Sequence, residues 1–235
     1  MVCGGKLDYK ANPELLTCYF CGETKHGSIS CPNGHFVCDT CHGKDAFSAI
    51  VGVVLNTKLN DPMEIADQIM SHPSVPMIGG EHHTIVATSI MAALKNSGPI
   101  FYNGEQIKVD NNFIRRTIDR TWTDKIPSCM CANYGAYGAA LAAGAVFSLL
   151  TDATCDVPKA RERQISMEIT NYAASDIAWY RGTCCKLSVK LAIDGACLAI
   201  KEHFDLNLPR KRSRCQHMKR NPYKCLGAQC PYSKA

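Results

Sequence analysis

Apolar positions recur every three to four residues through most of the chain, which is the period of a helix packed on one face. From Lys44 to Thr57 the stripe is Ala46, Ile50, Val51, Val54 and Leu55. Asp61-Pro62 reads as a cap followed by a first-turn proline, opening a short helix from Met63 to Met70. Two prolines and two glycines between Ser71 and Gly80 predict a fixed loop. A helix follows from Glu81 through Ala87, Ile90, Met91 and Leu94, stopped by Gly98. Gly104 to Arg120 reads as another, with Ile107, Ile114 and Ile118 inward. Ala136 to Leu150 is a helix of small residues that permits very close approach of a neighbour. Arg161 to Tyr180 and Cys184 to Phe204 complete the helical pattern. The expected fold is mainly α, with strands only as a small hairpin near the N-terminus.

The length of 235 residues suits one good core, or a core plus a small module. With 46% hydrophobic residues the chain can bury that core. No stretch has the ~18 uninterrupted apolar residues of a membrane span. The opening Met-Val-Cys-Gly-Gly-Lys lacks the apolar centre of a signal peptide. A cytoplasmic setting is therefore expected, where thiols stay reduced.

That setting changes the meaning of fifteen cysteines, an odd and clustered set. They argue for metal or sulfur chemistry over a disulfide frame. Cys18-x-x-Cys21 and Cys38-x-x-Cys41 flank sixteen residues, the ligand spacing of a structural zinc site. Iron in place of zinc is an alternative. Cys31 and His35 lie between the pairs without a complete site of their own.

Adjacent Cys184 and Cys185 stand at a helix start, where unpaired N–H groups and the helix dipole favour a thiolate. Cys215, Cys225 and Cys230 follow in a polar tail too irregular to fold without a ligand. Cys185, Cys215, Cys225 and Cys230 are the expected ligands of an iron–sulfur cluster, expected as 4Fe-4S, with Cys184 as the alternative to Cys185. Their spacing is not that of a ferredoxin, but it suits a tail folded back over the helix start.

Glu81, His82 and His83, just after a Gly-Gly turn, are candidate proton-transfer groups. Cys131, with Cys129 at the mouth of the small-residue helix, is a candidate thiolate. The net charge of +5 sits largely in Arg210-Lys-Arg-Ser-Arg214 and Lys219-Arg220. With few aromatics interleaved, that strip reads as a solvated tail rather than a nucleic-acid surface.

The run from Cys18 to His42 resembles the first half of a RING-type or treble-clef finger. That resemblance implies one zinc shared by Cys18, Cys21, Cys38 and Cys41, and a division into a zinc-finger-like module over 1–57 and a helical domain over 58–235. The second half of a RING is absent, which removes the basis for ubiquitin-ligase activity.

A wider set of motifs resembles a poorly characterised cysteine-rich domain family of anaerobic bacteria and archaea. The set is Cys18-x-x-Cys21, Gly34-His35-x-x-Cys38-x-x-Cys41-His42, Met70-x-His72-Pro73, Gly80-Glu81-His82-His83, Gly135-x-x-Gly138-Ala139-Ala140, Cys184-Cys185-Lys186 and Cys225-Leu-Gly-x-x-Cys230-Pro231. The family occurs alone or fused to an S-adenosylmethionine-dependent methyltransferase domain. This implies a partner such as a methyltransferase or another modifying enzyme, but no established activity. The chain departs from the family pattern at Tyr137 and at Arg181-Gly-Thr183. A fainter likeness to iron–sulfur dehydratases and cysteine desulfidases is one of general type, a cluster with one iron left open.

Three functions follow as expectations. The first is a zinc and iron–sulfur protein doing sulfur transfer or lyase chemistry on a small anionic substrate. The second is a non-catalytic module docking to a modifying enzyme. The third is an accessory protein of nucleic-acid modification.

Overall fold

The computed structural model describes residues 2, 3, 5–221 and 225–234. A two-stranded antiparallel hairpin opens the chain, β1 (Asp8–Thr17) and β2 (Thr24–Ser30). It is followed by the single turn α1 (Asp39–His42) and then by α2 (Ala46–Asn56), α3 (Pro62–Ser71) and α4 (Glu81–Ser97). A second hairpin, β3 (Ile100–Tyr102) and β4 (Glu105–Ile107), leads into α5 (Asn111–Thr121). The turn α6 (Met130–Asn133), then α7 (Gly138–Leu150), α8 (Ala160–Trp179) and α9 (Cys185–Phe204) complete the regular structure apart from short 3-10 turns.

The mainly helical expectation holds. Aspartate caps set three of the boundaries. Asp45 accepts from Ser48 N–H, Asp61 from Met63 and Glu64 N–H, and Asp110 from Asn112 and Phe113 N–H. Each cap satisfies N–H groups that a helix start leaves unpaired.

The helix expected over 104–120 is corrected to a hairpin strand followed by α5. Asn103 and Gly104 have φ of 52° and 82°, the left-handed pair of a tight hairpin turn, and Asp110 then starts the helix afresh. Strands are therefore not confined to the N-terminal hairpin. The opening residues, silent by hydrophobic pattern, form β1, most of which is exposed.

α4 is the centre of the molecule, buried at every position from Thr84 to Leu94, and it packs against α2, α3, α5, α7 and α9. α7 lies closely along α8. A Cβ on Gly144 would stand 2.7 Å from the Ser166 carbonyl oxygen, so that approach depends on glycine.

The charged residues of α9 before its last turn are Lys186, Lys190 and Asp194, all buried. Their spacing of four places them on one face, and the tail covers that face. Lys190 Nζ meets Asp67 at 2.7 Å. Tyr232, itself buried, donates to Asp194 at 2.7 Å. Arg212 reaches the same carboxylate at 3.3 Å, and Lys211 pairs with Glu64 at 3.0 Å. Arg210, Lys211 and Arg212 are thus tied to acidic groups of α3 and α9, while most of the basic strip stays exposed to solvent as expected.

Candidate functional site

The turn of the first hairpin carries Cys18 and Cys21, while Cys38 and Cys41 sit at and within α1. Their four sulfurs lie within 4.8 Å of one another, and Cys21 Sγ is 3.9 Å from Cys38 Sγ. Thiolates ~2.3 Å from a tetrahedral ion stand about 3.8 Å apart, so the four can hold one metal ion such as zinc.

The electrostatics agree. Burial works against the Cys18 thiolate, but backbone N–H groups of Cys38, Cys21 and Phe20 outweigh it and bring the thiol down to about 7. Burial raises Cys21 and Cys41, and the neighbouring thiolate raises them further. One charge thus keeps its neighbours protonated, and a cation is what would let all four ionise. Buried His72 accepts from Ser74 N–H at Nδ1 and donates from Nε2 to the Cys41 carbonyl at 2.8 Å, fixing that turn.

Cys184 is the N-cap residue of α9, and the tail brings Cys215, Cys225 and Cys230 to it. All four line one small void of about 20 Å³, together with Lys186, Lys190, His217 and Asn221. Among the described residues, ligand atoms converge within 4.8 Å only in the Cys18 set and in a group of Cys3, Cys31 and His35. The Cys184 set as it stands is therefore wider than a single-ion site. Burial raises the Cys215 and Cys230 thiols, and the Cys184 thiolate adds to both. Burial lowers Lys186 to about 8. Two buried lysines beside four thiols form a place where a polythiolate anion would be compensated.

A larger cavity of about 590 Å³ adjoins this void, and Cys225 and Leu226 belong to both walls. It is lined by His82 and His83 of α4, Gly138 and Ala139 of α7, and Cys185 and Ser188 of α9. Three helix N-termini therefore meet at one cavity. None of the three has a side-chain cap, in contrast to the aspartate-capped α2, α3 and α5. Their N–H groups and dipoles favour an anion there. Thr183 also lines it, with a buried hydroxyl that has no partner among the described residues.

Each histidine has a set tautomer, since a carbonyl can only accept. Nδ1 of His82 donates to Gly79 O at 3.1 Å, which leaves Nε2 to accept from Lys186 Nζ at 3.5 Å. Nδ1 of His83 donates to Ile126 O at 3.0 Å, which leaves its Nε2 lone pair unprotonated. Burial, reinforced by Lys186, pushes His82 down to about 3. An unfolded histidine takes its proton near pH ~6.5. Below that pH the unfolded chain holds the extra proton and the folded chain does not. The stability from neutral His82 is full above ~6.5 and falls as the pH drops towards 3, by about 2 kcal/mol at pH ~5. Urea melts at the two pH values should show this loss reduced in His82→Gln; an equal loss in both proteins would show that His82 is not its source.

The structure thus gathers His82, His83, Cys131 and Cys185 around the larger cavity, and Cys184, Cys215, Cys225 and Cys230 around the smaller void. Glu81 stands apart. Its carboxylate folds back over Gly79, where a Cβ would lie 2.2 Å from it, and it does not line the cavity. Cys197 is buried in α9, and burial pushes its thiol up to about 12, as suits a packing residue. Cys155 is exposed. Sequence reasoning passed over Cys3, Lys190 and His217, and gave Lys186 no role beyond its place in the Cys184-Cys185-Lys186 motif. The spacing of Lys186, Lys190 and Asp194 along a mostly apolar helix was the available signal for the two lysines.

Among the described residues no helix is long and apolar enough to cross a membrane. The model of a family of unknown function (DUF5714) matches residues 50–233. That span takes in both cavities' histidines and the tail cysteines but not the Cys18–Cys41 set. No curated protein and no solved structure matches the chain.

Proposed function

The chain belongs to that family of unknown function, and from this premise we propose that it is a metalloenzyme acting on a small anionic substrate. In this reading Cys184, Cys215, Cys225 and Cys230 hold an iron–sulfur cluster, and the Cys18 set holds a structural zinc. The observation that carries it is the shared wall. A four-thiol void with two buried lysines shares the wall of Cys225 and Leu226 with a cavity where three uncapped helix starts meet.

The helix starts and the Thr183 hydroxyl bind the anion and orient it. Neutral His83, fixed through Nδ1, takes or returns a proton at Nε2. Cys131, exposed at the rim, is a thiol within the same cavity wall for sulfur chemistry. His82 and Lys186 link the cavity wall to the void by one hydrogen bond. A cluster held by all four thiolates would supply redox capacity at its edge, and one held by three of them would leave an iron open as a Lewis acid. The reaction class this assembly suits is a lyase or a sulfur transfer.

Anaerobically purified full-length protein should be brown, with iron, acid-labile sulfide and broad absorption near about 400 nm. Truncation after Leu208 should abolish the colour and leave the zinc. Colourless, iron-free protein with intact zinc would overturn the reading. A coloured protein that neither binds anions nor turns over would leave a metal-stabilised docking module instead.

A further inference from the structure

We infer a second N-terminal metal site, an open zinc centre held by Cys3 Sγ, Cys31 Sγ and His35 Nδ1. The three ligand atoms lie within 4.8 Å of one another. Cys3 Sγ is 3.6 Å from Cys31 Sγ, and Cys31 Sγ is 3.2 Å from His35 Nδ1. Around a tetrahedral zinc with bonds of ~2.3 Å to sulfur and ~2.0 Å to nitrogen, these separations are about 3.8 and 3.6 Å. The groups need to move apart by only a few tenths of an ångström to admit the ion.

The hairpin explains why the ligands meet. Asp8 pairs with Ser30, so the strands bring Cys3, just upstream of β1, to Cys31, just downstream of β2. His35 follows on a short turn in which Gly34 takes a φ of 78° and the His35 carbonyl accepts from Cys31 N–H. The His35 ring packs edge-on against Tyr19 at 5.0 Å, which fixes its orientation. Asn33 Nδ2 donates to Cys3 Sγ at 3.4 Å, a contact that favours the thiolate.

The two candidate centres then occupy opposite ends of one hairpin. The Cys18 set closes the turn end, and the Cys3 set closes the open end. An isolated two-stranded hairpin is marginal in water, and this one is mostly exposed. A staple at each end is what such an element needs.

The centre is open because, among the described residues, three ligands converge there. Three protein ligands with an exchangeable fourth position are the pattern of zinc sites that bind a water or an exogenous donor. Cys3, Cys31 and His35 line a cavity of about 630 Å³ that Lys25, His26 and His42 also face. The fourth position is thus within reach of a small donor ligand, water in its absence.

The test is metal analysis of the full-length chain, purified anaerobically with zinc supplied. Cys3→Ser and His35→Gln should each contain one zinc fewer than the parent, with unchanged iron and unchanged far-ultraviolet helical signal. Equal zinc in the parent and both variants overturns the site, as does a loss confined to Cys3→Ser, which would remove the imidazole from the ligand set. A loss of two zincs in either variant would make the two centres one and also overturn it. Cobalt-loaded parent should shift its visible band on addition of imidazole, and Cys3→Ser should lose that shift; a parent spectrum that does not move overturns the open position.

Discussion

Replacing Cys18 or Cys38 by serine should release the ion of the Cys18 set and unfold the segment from β1 to α1, so that the ion of the Cys3 set on the same hairpin is lost with it, while the helical signal persists. The hairpin has little else to hold it. β1 and β2 face solvent at most positions, and only Phe20, Phe36 and the cysteines themselves bury apolar surface between them. Ordering each backbone residue costs about 1–2 kcal/mol. Structural zinc in small fingers contributes roughly 10 kcal/mol or more, the scale needed to offset that cost. Helices α2 to α9 supply most of the buried apolar core, centred on α4, so their fold should outlast the loss of this ion. Hydrogen exchange confined to the N-terminal segment, read beside metal content, checks the result. Unchanged metal in both variants would sink the assignment.

Cys184→Ser should bleach the anaerobic protein to a small fraction of the parent's iron, whereas Cys185→Ser should keep the colour. The two residues are neighbours in sequence but belong to different walls. Cys184 is the N-cap residue of α9 and lines the void with Cys215, Cys225 and Cys230. Cys185 is the first helical residue and lines the larger cavity with His82, His83 and Cys131. Successive helical positions differ by about 100° in direction, so a serine at one leaves the other's surroundings in place. Cys184 sulfur also accepts from Asn221 Nδ2 at 3.6 Å, a contact that ties it to the tail. Bleaching by Cys185→Ser alone would reverse the two roles, and equal iron in the parent and both variants would remove the cluster from this void.

The helices were legible because their apolar stripes and aspartate caps are local signals. Asp61-Pro62 and Asp45 mark their helices in the sequence itself. The segment from Gly104 misled because Ile107, Ile114 and Ile118 keep a helical period across the junction of β4 and α5, which Asn103-Gly104 and the Asp110 cap mark as two elements. The finger's ligand pairs were visible as spacing. Cys3 was not, since the strand register that carries it to Cys31 is a long-range pairing. The tail was read correctly as cysteine-bearing but not as anchored. Its anchors are Asp67 and Asp194, far away in sequence and silent until the fold places them beneath Lys190, Arg212 and Tyr232. Sequence reasoning put Cys185 ahead of Cys184 as the ligand beside the tail cysteines, whereas Cys184 is the one that lines the void with them, because the choice depends on where α9 begins to within one residue.

The wall that Cys225 and Leu226 give to both voids has a thermodynamic consequence. Two ligands that share a wall cannot bind independently. If the metal draws the tail into place and so completes the anion cavity, it multiplies the affinity for the anion by some factor. The anion must then multiply the retention of the metal by the same factor, since coupling free energy is reciprocal. Couplings of about 1–3 kcal/mol correspond to roughly 5–150-fold. A chain starved of iron would hold its anion more weakly by that ratio, and a chain saturated with anion would surrender its iron more slowly to a chelator. The tail would then make substrate affinity a readout of iron supply.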